Sequence, residues 1–149
     1  MRVVIQRVKE AQVTVENKIV GQIQGGLLIF LGIAQDDSSA QADWLIKKIV
    51  ELRIFEDKQG KMNLSALEVG AQFLVVSQFT LYGNCDQGRR PSFDQAANPQ
   101  KAGELYNYFV ENLKKNNVVV ATGCFRAMMR VSLINEGPVT FILESHADH

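Results

Sequence analysis

Two short runs limit the folds open to this chain more than any other feature. Leu27-Leu28-Ile29-Phe30-Leu31 is apolar throughout and bracketed by Gly26 and Gly32, and Phe73-Leu74-Val75-Val76 is apolar until it meets Ser77. A strand with one wet face alternates apolar and polar residues, whereas a strand covered on both faces reads as a continuous apolar run. Both runs are too short to prefer a helix by periodicity, and glycine or polar residues bound them. They are read as central, doubly buried strands.

Around these strands the chain alternates sheet and helix signals. Arg2 to Val8 and Ala11 to Val15 read as strands, Glu16-Asn17-Lys18 as a turn, and Ile19 to Ile23 as the return arm of a hairpin, before Gly25-Gly26 breaks the run. After Asp36-Asp37-Ser38-Ser39, rich in N-cap residues, Ala42, Leu45, Ile46, Ile49 and Val50 fall on one helical stripe. That helix is expected to lie on the sheet, with Trp44 beside the stripe, packed or open to a partner. Asp57 to Gly60 reads as a turn and Lys61 to Val69 as irregular. Asn98-Pro99 is a good helix start, and Ala102, Leu105, Tyr106, Phe109, Val110 and Leu113 form the apolar face that follows. Val118 to Thr122 and Arg130 to Ile134 return to strand.

A chain of 149 residues with 46% hydrophobic content suits one compact domain with one core, over residues 1–145, followed by a frayed tail at 146–149. No apolar run approaches the roughly 18 residues of a membrane span, and the first residues lack a signal-peptide pattern, so a soluble, cytoplasmic protein is expected. Cys85 and Cys124 have no CxxC spacing and no histidine cluster nearby, which argues against a zinc site or a disulfide frame. Neither metal nor cofactor is expected. Sixteen basic residues balance sixteen acidic ones, so a nucleic-acid partner has to be held by a local basic patch.

Three stretches carry possible chemistry. Ser77-Gln78-Phe79-Thr80 follows a buried strand at the point where it surfaces, either as an ordinary strand end or as a reactive loop on a rigid support. The long connection from Tyr82 to Asn98 holds Gly88-Arg89-Arg90-Pro91-Ser92-Phe93, either a phosphate-holding loop with a base-stacking ring or a solvated loop anchored by Phe93. Asn135-Glu136-Gly137-Pro138-Val139-Thr140 sits between two apolar segments and reads as a turn of unknown peptide geometry. The only histidines, His146 and His149, lie in the tail, which argues against a Ser-His-Asp or Cys-His centre. An enzyme built this way has to rely on backbone dipoles, a hydroxyl, or a group borrowed from its substrate.

Taken together, these three stretches closely resemble the D-aminoacyl-tRNA deacylases, and the likeness runs from Ile5-Gln6-Arg7-Val8 through Met62-Asn63-Leu64 and Thr122-Gly123 to the last strand. The resemblance implies an α+β, sheet-rich fold with barrel-like, antiparallel and mixed β-sheets and two main helices, assembled as a homodimer. It implies hydrolysis of the ester of D-aminoacyl-tRNA, and of glycyl-tRNA mischarged on the alanine tRNA. Ser77, Gln78, Phe79 and Thr80 would form the catalytic strand end, facing a cis Gly137-Pro138 from the other subunit that rejects L-aminoacyl groups. Thr80 is one candidate nucleophile; water assisted by the substrate 2′-hydroxyl is the favoured alternative. Arg7, Arg89, Arg90, Phe125 and Met129 match positions that would touch substrate or tRNA. Two departures stand out: Gln87 replaces a common lysine, and Arg126 replaces a small residue after Thr122-Gly123-Cys124-Phe125. A sister group with a trans Gly-Pro bond acts on L-alanine, and a non-catalytic nucleic-acid-binding module on the same fold is a further reading.

Overall fold

The computed structural model describes residues 1–148, so His149 of the expected tail lies outside the described residues. The chain forms β1 (Arg2–Val15), β2 (Lys18–Ile23), β3 (Gly26–Gly32), α1 (Ser39–Glu51), β4 (Phe55–Glu56), β5 (Met62–Leu64), α2 (Ala66–Val69) and β6 (Gln72–Ser77). A 3-10 turn (Phe79–Tyr82), α3 (Pro99–Lys114), β7 (Val120–Thr122) and β8 (Arg130–Glu144) complete it.

The main sheet is mixed. β1 is its spine, antiparallel to β3 over Arg2–Val8, to β2 over Ala11–Val15, and to β8 along nearly its whole length. β3, β6 and β7 run parallel to one another. β2 folds back against β7, so the sheet curls toward a barrel. The fold is thus α+β and sheet-rich, with a mixed, near-barrel sheet and two long helices.

The doubly apolar strands behave as their composition demands. Leu27, Ile29 and Leu31 of β3 and Phe73 and Val75 of β6 face α1 and α3, where they pack with Leu45, Ile49, Phe109 and Leu113. Leu28, Leu74 and Val76 point the other way, into the curl of the sheet, with Val8, Ala11, Val13 and Ile23. The expected single core is therefore two clusters, one on each face of the sheet. All five stripe residues of α1 are buried, and the helix begins in a capping box between Ser38 and Gln41. α3 starts at the Asn98 cap with Pro99 in its first turn, as expected.

Local chemistry overrides the sequence reading in three places. Lys61 to Val69 is not irregular: β5 is followed by the short helix α2, closed by a capping box of Ser65 with Glu68 and ended by Gly70 in the left-handed region. The two strands expected within residues 2–15 are the single strand β1, with a register shift near Val8. The turn expected at Asn135–Thr140 does not separate two strands; it is a bulge inside β8. Ser145, the last residue of the expected domain, is buried and exchanges main-chain hydrogen bonds with Met1 in both directions.

Candidate functional site

At the end of β6 the chain stops pairing and tightens into the 3-10 turn. Gln78 N–H still donates to the Leu31 carbonyl of β3, which fixes where the turn starts. Gly32 makes the fit possible: a Cβ there would lie 2.9 Å from Leu81 Cβ and 3.1 Å from the Gln78 carbonyl oxygen. Arg2 closes the far end, donating to the Leu81 carbonyl at 2.7 Å, lying over the Tyr82 ring at 4.8 Å and pairing with Glu144 at 3.0 Å. The sequence reading missed Arg2, since nothing in the strand pattern of β1 marks it.

The turn begins with a shortage of acceptors. No side chain caps it, and among the described residues the N–H groups of Phe79 and Thr80 have no partner in the hydrogen-bond pattern. The first N–H groups of any helical turn are left unpaired in this way and point out together. Gln78 Nε2 donates to Thr80 Oγ1, so the Thr80 hydroxyl is held by an amide and not by a base.

Beside the turn lies a cleft of about 620 Å³, lined by Ser77, Gln78 and Phe79 with Phe93, Phe125, Arg126 and Met129. Phe93 and Phe79 meet edge to face with centroids 5.0 Å apart, and both rings remain partly exposed. Phe125 stacks on Tyr106 at 5.8 Å, and the Tyr106 hydroxyl donates to the Val75 carbonyl at 2.8 Å, tying this wall to β6. Burial, then the nearby Cys124, pushes the Tyr106 phenol up to about 12. Burial pushes the Tyr82 phenol up as well, helped by Asp37 and Glu144 and opposed by Arg2.

The Tyr82–Asn98 connection is zipped down. Asn84 and Ser92 exchange main-chain bonds at 2.7 and 2.9 Å, and the following residues bond back to Ile33 and Gln35. Phe93 anchors the loop against Phe79 and also stays at the cleft. Arg89 and Arg90 project from the exposed loop tip and do not line the cleft.

Gly137, Pro138 and Arg7 form a second centre. Val8 pairs with Asn135 and Gln6 with Thr140, so one residue of β1, Arg7, stands opposite four of β8, Glu136 to Val139. Asn135 closes the neck of this bulge, accepting from Val139 N–H and donating to Thr140 Oγ1, both at 3.0 Å. The Gly137–Pro138 peptide is cis, and both residues are exposed. Gly137 has φ +128, and a Cβ there would come within 2.8 Å of Val139 Cγ2 and 3.1 Å of Arg7 Nη2. Buried Arg7 donates to the Glu136 carbonyl at 3.2 Å and the Ile54 carbonyl at 2.9 Å, and reaches Glu56 at 3.6 Å. Arg7 thus positions the bulge and does not enter the cleft of its own protomer.

The two centres are well separated. Ser77 is level with Leu31 and, through it, with Val3, while the bulge is level with Arg7. Three strand spacings across the sheet and four residues along it give a separation on the order of 20 Å. Among the described residues, no group of three or more histidine, cysteine or acidic side chains is placed to hold a metal ion.

The sequence profile of the D-Tyr-tRNA(Tyr) deacylase family matches residues 4–144. The chain belongs to this family. D-aminoacyl-tRNA deacylases from Geobacter sp. (strain M21) and Desulfotalea psychrophila are 57% and 56% identical to it, each match covering 97% of both chains. Membership makes the protein a hydrolase of D-aminoacyl-tRNA. The solved structure of a c-Myc DNA unwinding element binding protein superposes with a TM-score of 0.93 at 38% identity, covering 99% of this chain and 100% of that one. A probable eukaryotic D-amino acid tRNA deacylase shares the fold, with a TM-score of 0.84 at 18% identity, over 95% of this chain and 97% of that one. The deacylase matches these relatives essentially end to end.

Proposed function

We propose that the protein removes D-aminoacyl groups from tRNA, and glycine mischarged on the alanine tRNA, in a cleft where main chain does both the catalysis and the stereochemical selection. The ester carbonyl sits against the N–H groups of Phe79 and Thr80. Each donor aimed at the developing oxyanion contributes about 3 kcal/mol in comparable sites. Water attacks the carbonyl carbon, and the neighbouring 2′-hydroxyl of the terminal ribose relays the water's proton to the departing 3′-oxygen as the acyl–oxygen bond breaks, releasing the free amino acid and tRNA, because the turn offers no side-chain base. Exposed Phe79 and Phe93 offer a stacking surface to the terminal adenine.

Selection falls to the Gly137–Pro138 backbone of a second subunit. The observation that carries this reading is the distance on the order of 20 Å between the bulge and the turn of the same protomer, combined with the bulge's exposure. β8 also presents Ile134, Phe141 and Ile142 to solvent, 48%, 37% and 68% exposed, a burden that a second copy relieves in a homodimer. A carbonyl fixed in the main chain cannot turn aside as a side chain can, so it excludes the substituent of an L-aminoacyl group by contact alone. D-aminoacyl and glycyl groups have nothing on that side. The exposed Arg89–Arg90 tip is assigned to the tRNA backbone, and the protein to the cytoplasm, where its substrate is.

Deacylation of matched D-, L- and glycyl-tRNAs tests this reading. Turnover of the D form, alone or with the glycyl form, supports it. L-alanyl turnover would place the protein with the sister group instead. Binding without turnover would make it a nucleic-acid-binding module.

A further inference from the structure

Among the described residues, four that are not glycine have positive φ: Glu16, Asn17, Asn117 and Arg126. Glu16 and Asn17 are the two central residues of the β1–β2 hairpin turn, a tight geometry that asks for positive φ at both, and Asn117 lies just past α3, where asparagine commonly ends a helix in this conformation. Arg126, at φ +67, is different. Its backbone region suits glycine, and its long side chain gains nothing from being there unless something at that point needs it.

Its place is in the wall of the cleft. Arg126 lines the cleft and, among the described residues, is the only charged one that does. It is exposed, and no ion pair or hydrogen bond to its guanidinium is formed among the described residues. The backbone that carries it is fixed: Ala127 N–H donates to the Cys124 carbonyl at 3.1 Å, and Phe125 is stacked on Tyr106. A rigid support, an unfavourable backbone conformation and an unpaired guanidinium beside a largely apolar cleft together fit a site for an anion.

We propose that Arg126 clamps an oxyanion of the substrate, the phosphate on the 5′ side of the terminal nucleotide. This rests on the reading that the cleft takes the aminoacylated end of tRNA. A guanidinium binds phosphate and carboxylate alike through its planar fork. Phosphate is favoured because every aminoacyl-tRNA brings one to the cleft, whereas a carboxylate arrives only with an acidic aminoacyl group.

The test compares wild type, Arg126→Gly and Arg126→Lys on D-tyrosyl-tRNA, D-aspartyl-tRNA and the D-tyrosyl ester of adenosine, which has no phosphate. Glycine adopts this φ freely, so Arg126→Gly melts no lower than wild type, and a loss of binding is not a loss of fold. On both tRNAs the glycine variant raises KM about tenfold while kcat changes less than twofold. The slope of log kcat/KM against log salt concentration flattens by about 0.7, the value for one contact to a single strand. Lysine restores most of the slope, and on the adenosine ester the effect vanishes. A loss confined to D-aspartyl-tRNA keeps the clamp and assigns it to the side-chain carboxylate. Unchanged KM and salt slope on both tRNAs, with wild type active, overturn the clamp alone; a wild type inactive on every D substrate overturns the underlying functional reading.

Discussion

Replacing Arg7 by methionine removes the donor side of the bulge while keeping the length and much of the volume of the side chain. The guanidinium serves the buried Ile54 carbonyl at 2.9 Å and the Glu136 carbonyl at 3.2 Å. Leaving a buried acceptor without its donor costs about 1–3 kcal/mol, and the second, less enclosed carbonyl adds about 1. The contact with Glu56 contributes little, since that carboxylate is 56% exposed. The sum is about 3 kcal/mol, which for a chain of this size lowers Tm by roughly 6–12 °C. A functional change is expected alongside it. Arg7 Nη2 lies against Gly137, so a bulge without its tether holds Gly137 and Pro138 less well, and L-aminoacyl-tRNA begins to be cleaved while D-aminoacyl turnover falls less. Thermal denaturation together with single-turnover deacylation of matched D- and L-tyrosyl-tRNA reads both effects. An Arg7→Met protein that melts within about 2 °C of wild type and still rejects the L form would show that Arg7 does not hold the selector.

Thr80→Ala should retain activity within about fivefold, because Thr80 is held by Gln78 and, among the described residues, no base stands beside it; a loss beyond about 100-fold in a folded protein would make its hydroxyl the nucleophile. Tyr106→Phe should lower stability by about 1 kcal/mol through loss of the bond to the Val75 carbonyl. In wild type, the Tyr106 phenol is raised from 10.0 to about 12, so its contribution is fully present below pH 10 and is lost as pH climbs toward 12. The phenylalanine variant should therefore lose less stability over that window in urea titrations at stepped pH. An alkaline limb identical in the two proteins would remove Tyr106 from the account.

How far the sequence could be read depended on whether one residue type dictated the outcome. The runs at 27–31 and 73–76 required burial on both faces, and the helices of α1 and α3 followed from their stripes and caps. Ser65 and Glu68 form a capping box that was readable in principle, but the four-residue helix it starts is too short to show periodicity. The bulge in β8 could not be read, because Gly-Pro between apolar segments is also what an ordinary turn looks like. Only the pairing of both flanks with β1 shows that the strand continues. Within the site, Ser77, Gln78, Phe79, Phe125 and Met129 do meet at one cleft, while Arg89 and Arg90 stand on a loop tip away from it. Arg2 and the roles of Asn135 and Gly32 depend on contacts between residues far apart in the chain, which no local pattern encodes.

The separation of the two centres has a consequence that a single variant cannot show. In a two-fold dimer whose interface joins one subunit's bulge to the other's cleft, each working site takes its cleft from one chain and its selector from the other. Gly137→Ala should displace the selector, since the added Cβ would lie 2.8 Å from Val139 Cγ2 at a φ of +128, and its homodimer should cleave both D- and L-aminoacyl-tRNA. Ala127→Trp fills a cleft that Ala127 lines, and its homodimer should cleave neither. In the mixed dimer, the one open cleft belongs to the Gly137→Ala chain and faces the intact selector of the blocked chain. Co-refolding with increasing excess of Ala127→Trp should therefore convert unselective turnover into D-selective turnover per open cleft, although neither chain alone is a selective enzyme. If each bulge instead guarded its own cleft, the ratio of L to D turnover would not move at any mixing ratio. That result would place selection within one protomer, across a distance the strand register does not let the Gly137–Pro138 backbone reach.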